Sequence, residues 1–522
     1  MRYCFLFVLF LGPATVFTQA DSNAIFFANS ISASELKSHV YDLASDEFEG
    51  RETGKIGQKK AGIYLASFFK SLGMTPIGKD SSYFQEFPLY EEYTGKAELK
   101  HNQKVYSFLK DFYCFNSIGN MELDFQSIVF AGYGIKDEKS GYNDYKNLDV
   151  NGKIVMVFED EPIDKKGVSR ITGNAELSDW TKEFKMKVKL AKDMGAVALL
   201  EIAKNMDNDI KVYKHYIEKP RSSVVPLDPV ATFPVFYISK NLATDIFAAY
   251  NKRYNYDNLK EAYRKKKKNH SFEINSDLQI SIERQKQIIT GENILGYIEG
   301  TDLKDELLII TAHYDHLGKD ESGIYYGADD DGSGTAAIME MAEAFMLAKN
   351  AGFGPRRSIL ILPVSGEEKG LLGSYYYSKN PVFPLENTVC NLNIDMIGRM
   401  DKKHESDSNY VYIIGSDKLS SELHLINENN NDVYTKIDLD YTYNHPEDPN
   451  RFYYRSDHYN FAKNQIPSIF YFTGIHDDYH KITDTPEKLH YNKMVNITRL
   501  IFYTAWEIAN RPERLKVDSN KP

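Results

Sequence analysis

Cysteine is scarce in this 522-residue chain: there are 3, and Cys4 lies in the opening residues. The other two, Cys114 and Cys390, are too far apart to make a disulfide framework, so both are expected as buried thiols. Positive charge is also in deficit. Lys and Arg number 63 against 74 Asp and Glu, a net charge of −11, which excludes the basic surface of a general nucleic-acid binder. The one basic run, Arg264–Lys268, reads as a solvated loop or helix end. After Phe17 no apolar stretch approaches the roughly 20 residues of a membrane span. There is no internal repeat and no compositional sign of disorder. Two signatures are missing as well: HExxH, which sets two zinc-binding histidines on one helix, and GxSxG, the elbow of serine hydrolases.

What is present begins with "MRYCFLFVLFLGPATVFTQA", a lone Arg2, an apolar run and small residues up to Ala20. This is the pattern of a secretory leader, residues 1–20, cut after Ala20; it implies an exported, periplasmic or extracellular protein. Helical spacing follows in "SASELKSHVYDLAS", with Ser32 or Ser34 as cap, and in "GQKKAGIYLASFFKSLGM", which ends at Gly73. From about 120 to 285 the texture is β-rich, with short runs such as "FQSIVFAGYGI", "GKIVMVFED" and "FPVFYIS" around one helix near 180–196. From 293 onward strands and helices alternate. "ELLIITAHYDHLG", "RSILILPVSGEEKG", "TVCNLNIDMIG" and "PSIFYFTG" are strand-like, and "SGTAAIMEMAEAFMLAKN" is helical. The near-continuous apolar strands predict an α/β domain whose central sheet, mostly parallel or mixed, is flanked by helices.

In such sheets ligands gather beyond the carboxyl ends of the strands. Here those ends deliver His313 and Asp315, then Glu367 and Glu368, then Asp395, and finally His476 and His480; "GADDDGSG" (327–334) opens the long helix. Any one of these is weak alone, but together they describe a metal site. Imidazole with carboxylate suits Zn²⁺ or a related transition metal rather than calcium. An EF-hand reading of the aspartates fails, because with Gly332 as the loop glycine its first and last ligand positions would be Gly327 and Ile338.

The ordered segments "HYDH" (313–316), "GADDDGSG" (327–334), "SGEEKGLLGS" (365–374), "NIDMIGR" (393–399), "RSDHYNFAKNQIPSIFYF" (455–472) and "YHKITDT" (479–485) resemble the M28 family of zinc aminopeptidases, as does "DEFEGRETGKIGQKKAGIYLASFF" (46–69). The stretch 119–286 resembles the protease-associated domain inserted in many members, which leaves 21–118 plus 287–515 as a discontinuous catalytic domain. The resemblance implies two Zn²⁺ ions. Asp330 would bridge them, with Glu368 and His480 on one and His313 and Asp395 on the other. Glu367 would be the general base acting on a hydroxide shared by the ions, Asp315 would orient His313, and Tyr479 would help hold the oxyanion. Of the neighbouring aspartates, Asp331 would support Asp330 and Asp329 would face elsewhere.

Arg455, Ser456, Asp457 and His458 are read as shaping the substrate pocket. As consecutive residues, Ser456, Asp457 and His458 do not converge as a catalytic triad must. His316 and His476 are read as loop or pocket histidines. The implied activity is hydrolysis of the N-terminal bond of a peptide substrate, with no nucleic-acid partner; no motif sets an oligomeric state. Three alternatives are weighed. A glutamate-type carboxypeptidase needs a basic cluster, for which Arg399, Arg451 and Arg455 are available. A glutaminyl cyclase uses one zinc and lacks the insertion. A receptor-like relative would have lost the ligands, which are all present here.

Overall fold

The computed structural model describes residues 20–227, 232–265 and 270–520. The expected leader lies outside them except for Ala20, as do the last residues of the basic run. The chain forms two compact units, Met1–Leu89 with Ile289–Pro522, and Tyr90–Ile288. The second begins well before the expected residue 119. The strand Phe84–His101 runs unbroken through that region and is a neighbour of Phe272–Ile294 in one sheet, so residues 90–118 belong with the inserted unit.

The first unit is built on a seven-stranded sheet. Its strands are β1 (Gly296–Ile298), β2 (Leu303–His313), β3 (Arg357–Val364), β4 (Thr388–Ile394), β5 (Tyr410–Ile414), β6 (Asp438–Asp440) and β7 (Ser468–Phe472), in spatial order β1-β3-β2-β4-β7-β5-β6. The four central strands β3, β2, β4 and β7 are mutually parallel, while β1 and β5 join antiparallel, so the sheet is mixed. β3, β4, β5 and β7 are buried along their whole length, as strands covered on both faces are; they are largely apolar, and the polar Arg357, Ser358, Asn391 and Asn393 are buried with them. Alternation divides the core. Leu308, Ile310, Ile359 and Ile361 face one layer, with the helices Gly334–Asn350 and Tyr491–Asn510; Leu307, Ile309, Leu360 and Leu362 face the other, with Tyr377 and Phe461. Ser32 caps the helix Ala33–Leu43 by accepting from Glu35 N–H, and Gly73, at φ 78°, follows the helix Ile56–Ser71.

The inserted unit is more helical than its β-rich texture suggests. Its central strands Met121–Phe130, Ile154–Phe158, Ala198–Ile202 and Val235–Ile238 are parallel; the helices Lys185–Asp193 and Met206–Glu218 lie between them in sequence, and Lys240–Tyr250 follows the last. The helix Lys240–Tyr250 buries Leu242, Ala243, Ile246 and Phe247 at helical spacing, a signal the sequence does carry. Ile154, Met156 and Phe158 pack on one face of this sheet and Val155 and Val157 on the other. Cys114 and Cys390 are both free and buried. Among the described residues no helix is long and apolar enough to cross a membrane.

Candidate metal centre

The parallel strands β2, β3 and β4 all end at one edge of the sheet, and each delivers a donor there. His313 is the last residue of β2, Asp395 follows the end of β4, and Glu367 and Glu368 follow β3 across Ser365 and Gly366. Gly366, at φ 75°, turns the chain sharply at that point. His480 arrives on the loop after β7 and itself adopts left-handed backbone, φ 56°. The aspartates sit between Gly327 and the helix Gly334–Asn350, and the Asp330–Asp331 peptide is cis.

Two groups of donors form, and Asp330 belongs to both. His313, Asp330 and Asp395 make one; His316, Asp330 and Glu368 make the other, and within each group the ligand atoms lie within 4.8 Å of one another. In the first, His313 Nε2 is 3.2 Å from Asp330 Oδ1 and 3.6 Å from Asp395 Oδ1. His480 approaches the second, its Nε2 lying 3.1 Å from Asp330 Oδ2 and 3.2 Å from Glu368 Oε1. All five residues read as ligands from the sequence are thus brought together.

The donor chemistry fits cations. His313 Nδ1 lies 3.0 Å from the Asp315 carbonyl, which can only accept, so Nδ1 carries a proton and the Nε2 lone pair faces the carboxylates. Lone pair against carboxylate is repulsive unless a proton or a metal ion lies between them. Asp330 is 3% exposed, and among the described residues the only basic groups within ion-pair distance of it are imidazoles. Burial disfavours a charged His313, but Glu367, Asp330 and Asp395 outweigh it and hold the imidazole well above its ordinary range. The site as it stands asks for positive charge, which a zinc ion held by these donors would supply.

Glu367 approaches without joining either triad, its Oε2 lying 3.9 Å from His313 Nε2. Burial first, then Glu368, Asp395 and Asp457, push its carboxyl well above the carboxylate range. Asp315 holds it in place: Oδ1 accepts from Glu367 N–H at 3.2 Å and Oδ2 from Thr53 Oγ at 2.6 Å. The Asp315 carboxylate is 3.7 Å from His313 Nδ1, so it is the carbonyl of Asp315 that orients the imidazole while the carboxylate anchors the Glu367 backbone. Tyr479 stacks on His480 with ring centroids 3.8 Å apart, and its phenol is driven up by burial and then by Asp330, Glu368 and Glu367, so it remains a hydrogen-bond donor.

The three aspartates do three different things. Asp331 accepts from His313 N–H, Gly334 N–H and Met396 N–H, tying the ends of β2 and β4 to the helix. Asp329 turns away to Gly398 N–H at 2.6 Å and His476 Nε2 at 3.2 Å. Asp484 accepts from the N–H groups of both Asp329 and Asp330.

Of the four residues read as pocket-forming, Arg455 lines the cavity beside the centre, together with Met396, Phe452, Phe470, Phe472 and Ile475. Ser456 is buried and donates to Asp395 Oδ2 at 2.7 Å, fixing that ligand. Asp457 hydrogen-bonds Ser374, and His458 is buried against Phe470, its imidazole pulled down to about 3 by burial.

Arg51 was not singled out from the sequence. It is fully buried and donates to the carbonyls of Leu43, Tyr314, Tyr326 and Gly327 at 2.6–2.8 Å, so it clamps the segments that carry the donors. The sequence shows only a charged residue in "EGRETG"; its left-handed backbone, φ 52°, and the need for its donors arise in the folded loop. Arg51→Met should cost at least about 3 kcal/mol in urea unfolding, because several buried carbonyls lose their donor together; a loss under about 1 kcal/mol would refute the clamp.

Fold and site together define a class: an α/β domain with imidazole and carboxylate donors able to hold metal at the carboxyl edge of its sheet, the construction of a metal-dependent hydrolase. Residues 293–505 match the family model for peptidase family M28. It is similar to aminopeptidase NAALADL1 of Mus musculus, 32% identical over 130 residues, which make up 24% of this chain and 16% of that protein. It is also similar to a probable zinc metalloprotease of Pyrenophora tritici-repentis (strain Pt-1C-BFP), 37% identical over 134 residues, 24% of this chain and 26% of the relative. The matched segments thus span 16% and 26% of these relatives' lengths. In fold, the chain resembles the aminopeptidase from Aneurinibacillus sp. strain AM-1, with TM-score 0.54 at 17% identity over 95% of this chain and 98% of that one.

Proposed function

We propose that this protein is an exported two-zinc aminopeptidase that removes the N-terminal residue of peptides. The observation that carries the reading is Asp330, whose two oxygens face two separate donor sets while Glu367 stands beside them uncommitted. Zinc bound there would polarise the scissile carbonyl and bring the pKa of a water towards neutrality. His313 with Asp395 and His480 with Glu368 would hold the ions, one set to each oxygen of Asp330. Glu367 takes the proton from the attacking water and passes it to the departing amine, with its backbone fixed by Asp315. Tyr479 donates its phenol proton in a hydrogen bond to the developing oxyanion. The apolar wall of Met396, Phe452, Phe470, Phe472 and Ile475 receives the side chain of the first residue.

Export is supported by the leader pattern in residues 1–20, and the unit Tyr90–Ile288 is read as a protease-associated domain on the "VFAGYGI" and "VNGKIVMV" segments.

A carboxypeptidase reading draws on Arg455, the one cation in the cavity lining. Its basic cluster is incomplete, however: Arg399 pairs with Asp478 at 2.9 Å, and Arg451 packs over Tyr454. A panel of aminoacyl reporters, N-blocked peptides and peptides ending in glutamate separates the two. Turnover of free-amine substrates with apolar first residues is expected. Cleavage confined to N-blocked or glutamate-terminated peptides would overturn the aminopeptidase reading.

A further inference from the structure

We infer that His316 is a fourth protein donor to the metal subsite formed by Asp330, Glu368 and His480, so that this centre uses three imidazoles rather than two. The inference rests on the two-metal reading above.

His316 is 1% exposed; among the described residues its Nε2 has no hydrogen-bond partner and its Nδ1 faces the carboxylates of Glu368 and Asp330, an unfavourable state for a buried neutral imidazole. Its Nδ1 lies 2.9 Å from Glu368 Oε1 and 3.7 Å from Asp330 Oδ2, the same two oxygens that His480 Nε2 approaches at 3.2 and 3.1 Å. The two imidazoles meet edge to face, with centroids 5.8 Å apart, so both rings converge on the oxygens from different directions. Donors bound at 2.0–2.1 Å in a tetrahedron are about 3.3 Å from each other, and these four separations scatter around that value.

The local backbone serves the same end. His316 N–H reaches the carbonyl of Arg51 at 3.3 Å, and a Cβ on Gly327 would stand 2.5 Å from the His316 Cγ, so glycine there lets the ring reach its place.

The other subsite differs. His313, Asp330 Oδ1 and Asp395 Oδ1 supply three donors, and the second oxygen of Asp395 is held by Ser456. Four protein donors close a tetrahedral site; three leave a position open. The subsite with His316 would therefore be filled by protein, and the one with His313, which faces Glu367, would offer its free position to water and substrate.

X-ray absorption at the zinc edge of the wild-type protein loaded with two zinc ions counts the imidazoles directly. Three imidazoles shared by two ions give about 1.5 per zinc, against about 1 if His316 is a bystander. In parallel, the metal-free protein is titrated with Co²⁺ and followed by visible absorption and by elemental analysis. With His316→Ala, the intense four-coordinate bands of one Co²⁺ should weaken and its affinity fall at least about 100-fold, while the melting temperature of the metal-free protein stays within a few degrees. Unchanged affinity and spectrum in this variant, or about 1 imidazole per zinc in the wild type, would remove His316 from the ligand set. Binding of a single ion by the wild type would instead overturn the two-metal reading itself. If His316→Ala does not fold, the wild-type imidazole count decides alone.

Discussion

Glu367→Gln should retain both zinc ions and lose about 10²–10⁴-fold in turnover, the usual contribution of a positioned general base. Glu367 belongs to neither donor triad, and its Oε2 lies 3.9 Å from His313 Nε2, farther than either His313–ligand separation. Glutamine has the same shape and can still accept a hydrogen bond, so the Asp315 contact to the backbone N–H and the packing survive. What it lacks is the ability to take a proton from water and return it to the leaving amine. The loss should therefore fall on kcat, with KM within a few-fold of the wild type, because substrate contacts are unchanged. Full activity would remove Glu367 from the mechanism, and loss of metal would make it a ligand instead.

Asp330→Ala has the opposite signature. One carboxylate contributes Oδ1 to the His313 set and Oδ2 to the His480 set, so its truncation withdraws a donor and a negative charge from both subsites at once. Both zinc affinities should fall together, and turnover should drop by at least about 10³-fold, since the Lewis acid and the activated water go with the metal. The metal-free protein should lose stability as well. In that state Asp330 lies 3.2, 3.7 and 3.1 Å from the imidazoles of His313, His316 and His480, which outweigh its burial and hold its carboxyl well below the usual range, so truncation removes more attraction than repulsion. Metal titration and thermal unfolding of the metal-free form check the two halves. Loss of one zinc with the other still held at wild-type affinity would refute the shared role.

Much of this was legible in sequence for a plain reason. Strands buried on both faces are largely apolar, so the runs "LLII" in β2, "ILILPV" in β3 and "IFYF" in β7 announce themselves, and a His, Asp or Glu soon after such a run stands at the sheet edge where ligands collect. What was not legible depends on chain reversals and tertiary packing. β5, "YVYII", is apolar enough to be a strand, but its antiparallel place beside β7 is set by the long excursion through 431–467. The jobs of Asp329, Asp330 and Asp331 differ because one turn aims three adjacent side chains in three directions, which no periodicity encodes. Ser456 reads as a pocket residue until its hydroxyl is seen on Asp395. His316 reads as a loop histidine because it follows the strand by three residues; its burial beside Glu368 depends on Gly327, distant in sequence from Glu368 and drawn in by Arg51.

The account stands or falls on two metal subsites meeting at Asp330. Elemental analysis of the wild-type protein, purified in zinc and freed of loose metal by gel filtration, tests this most directly. About two zinc per chain in the wild type, falling to well under one in Asp330→Ala, is the predicted result. One zinc per chain in the wild type, or two in Asp330→Ala, would contradict it.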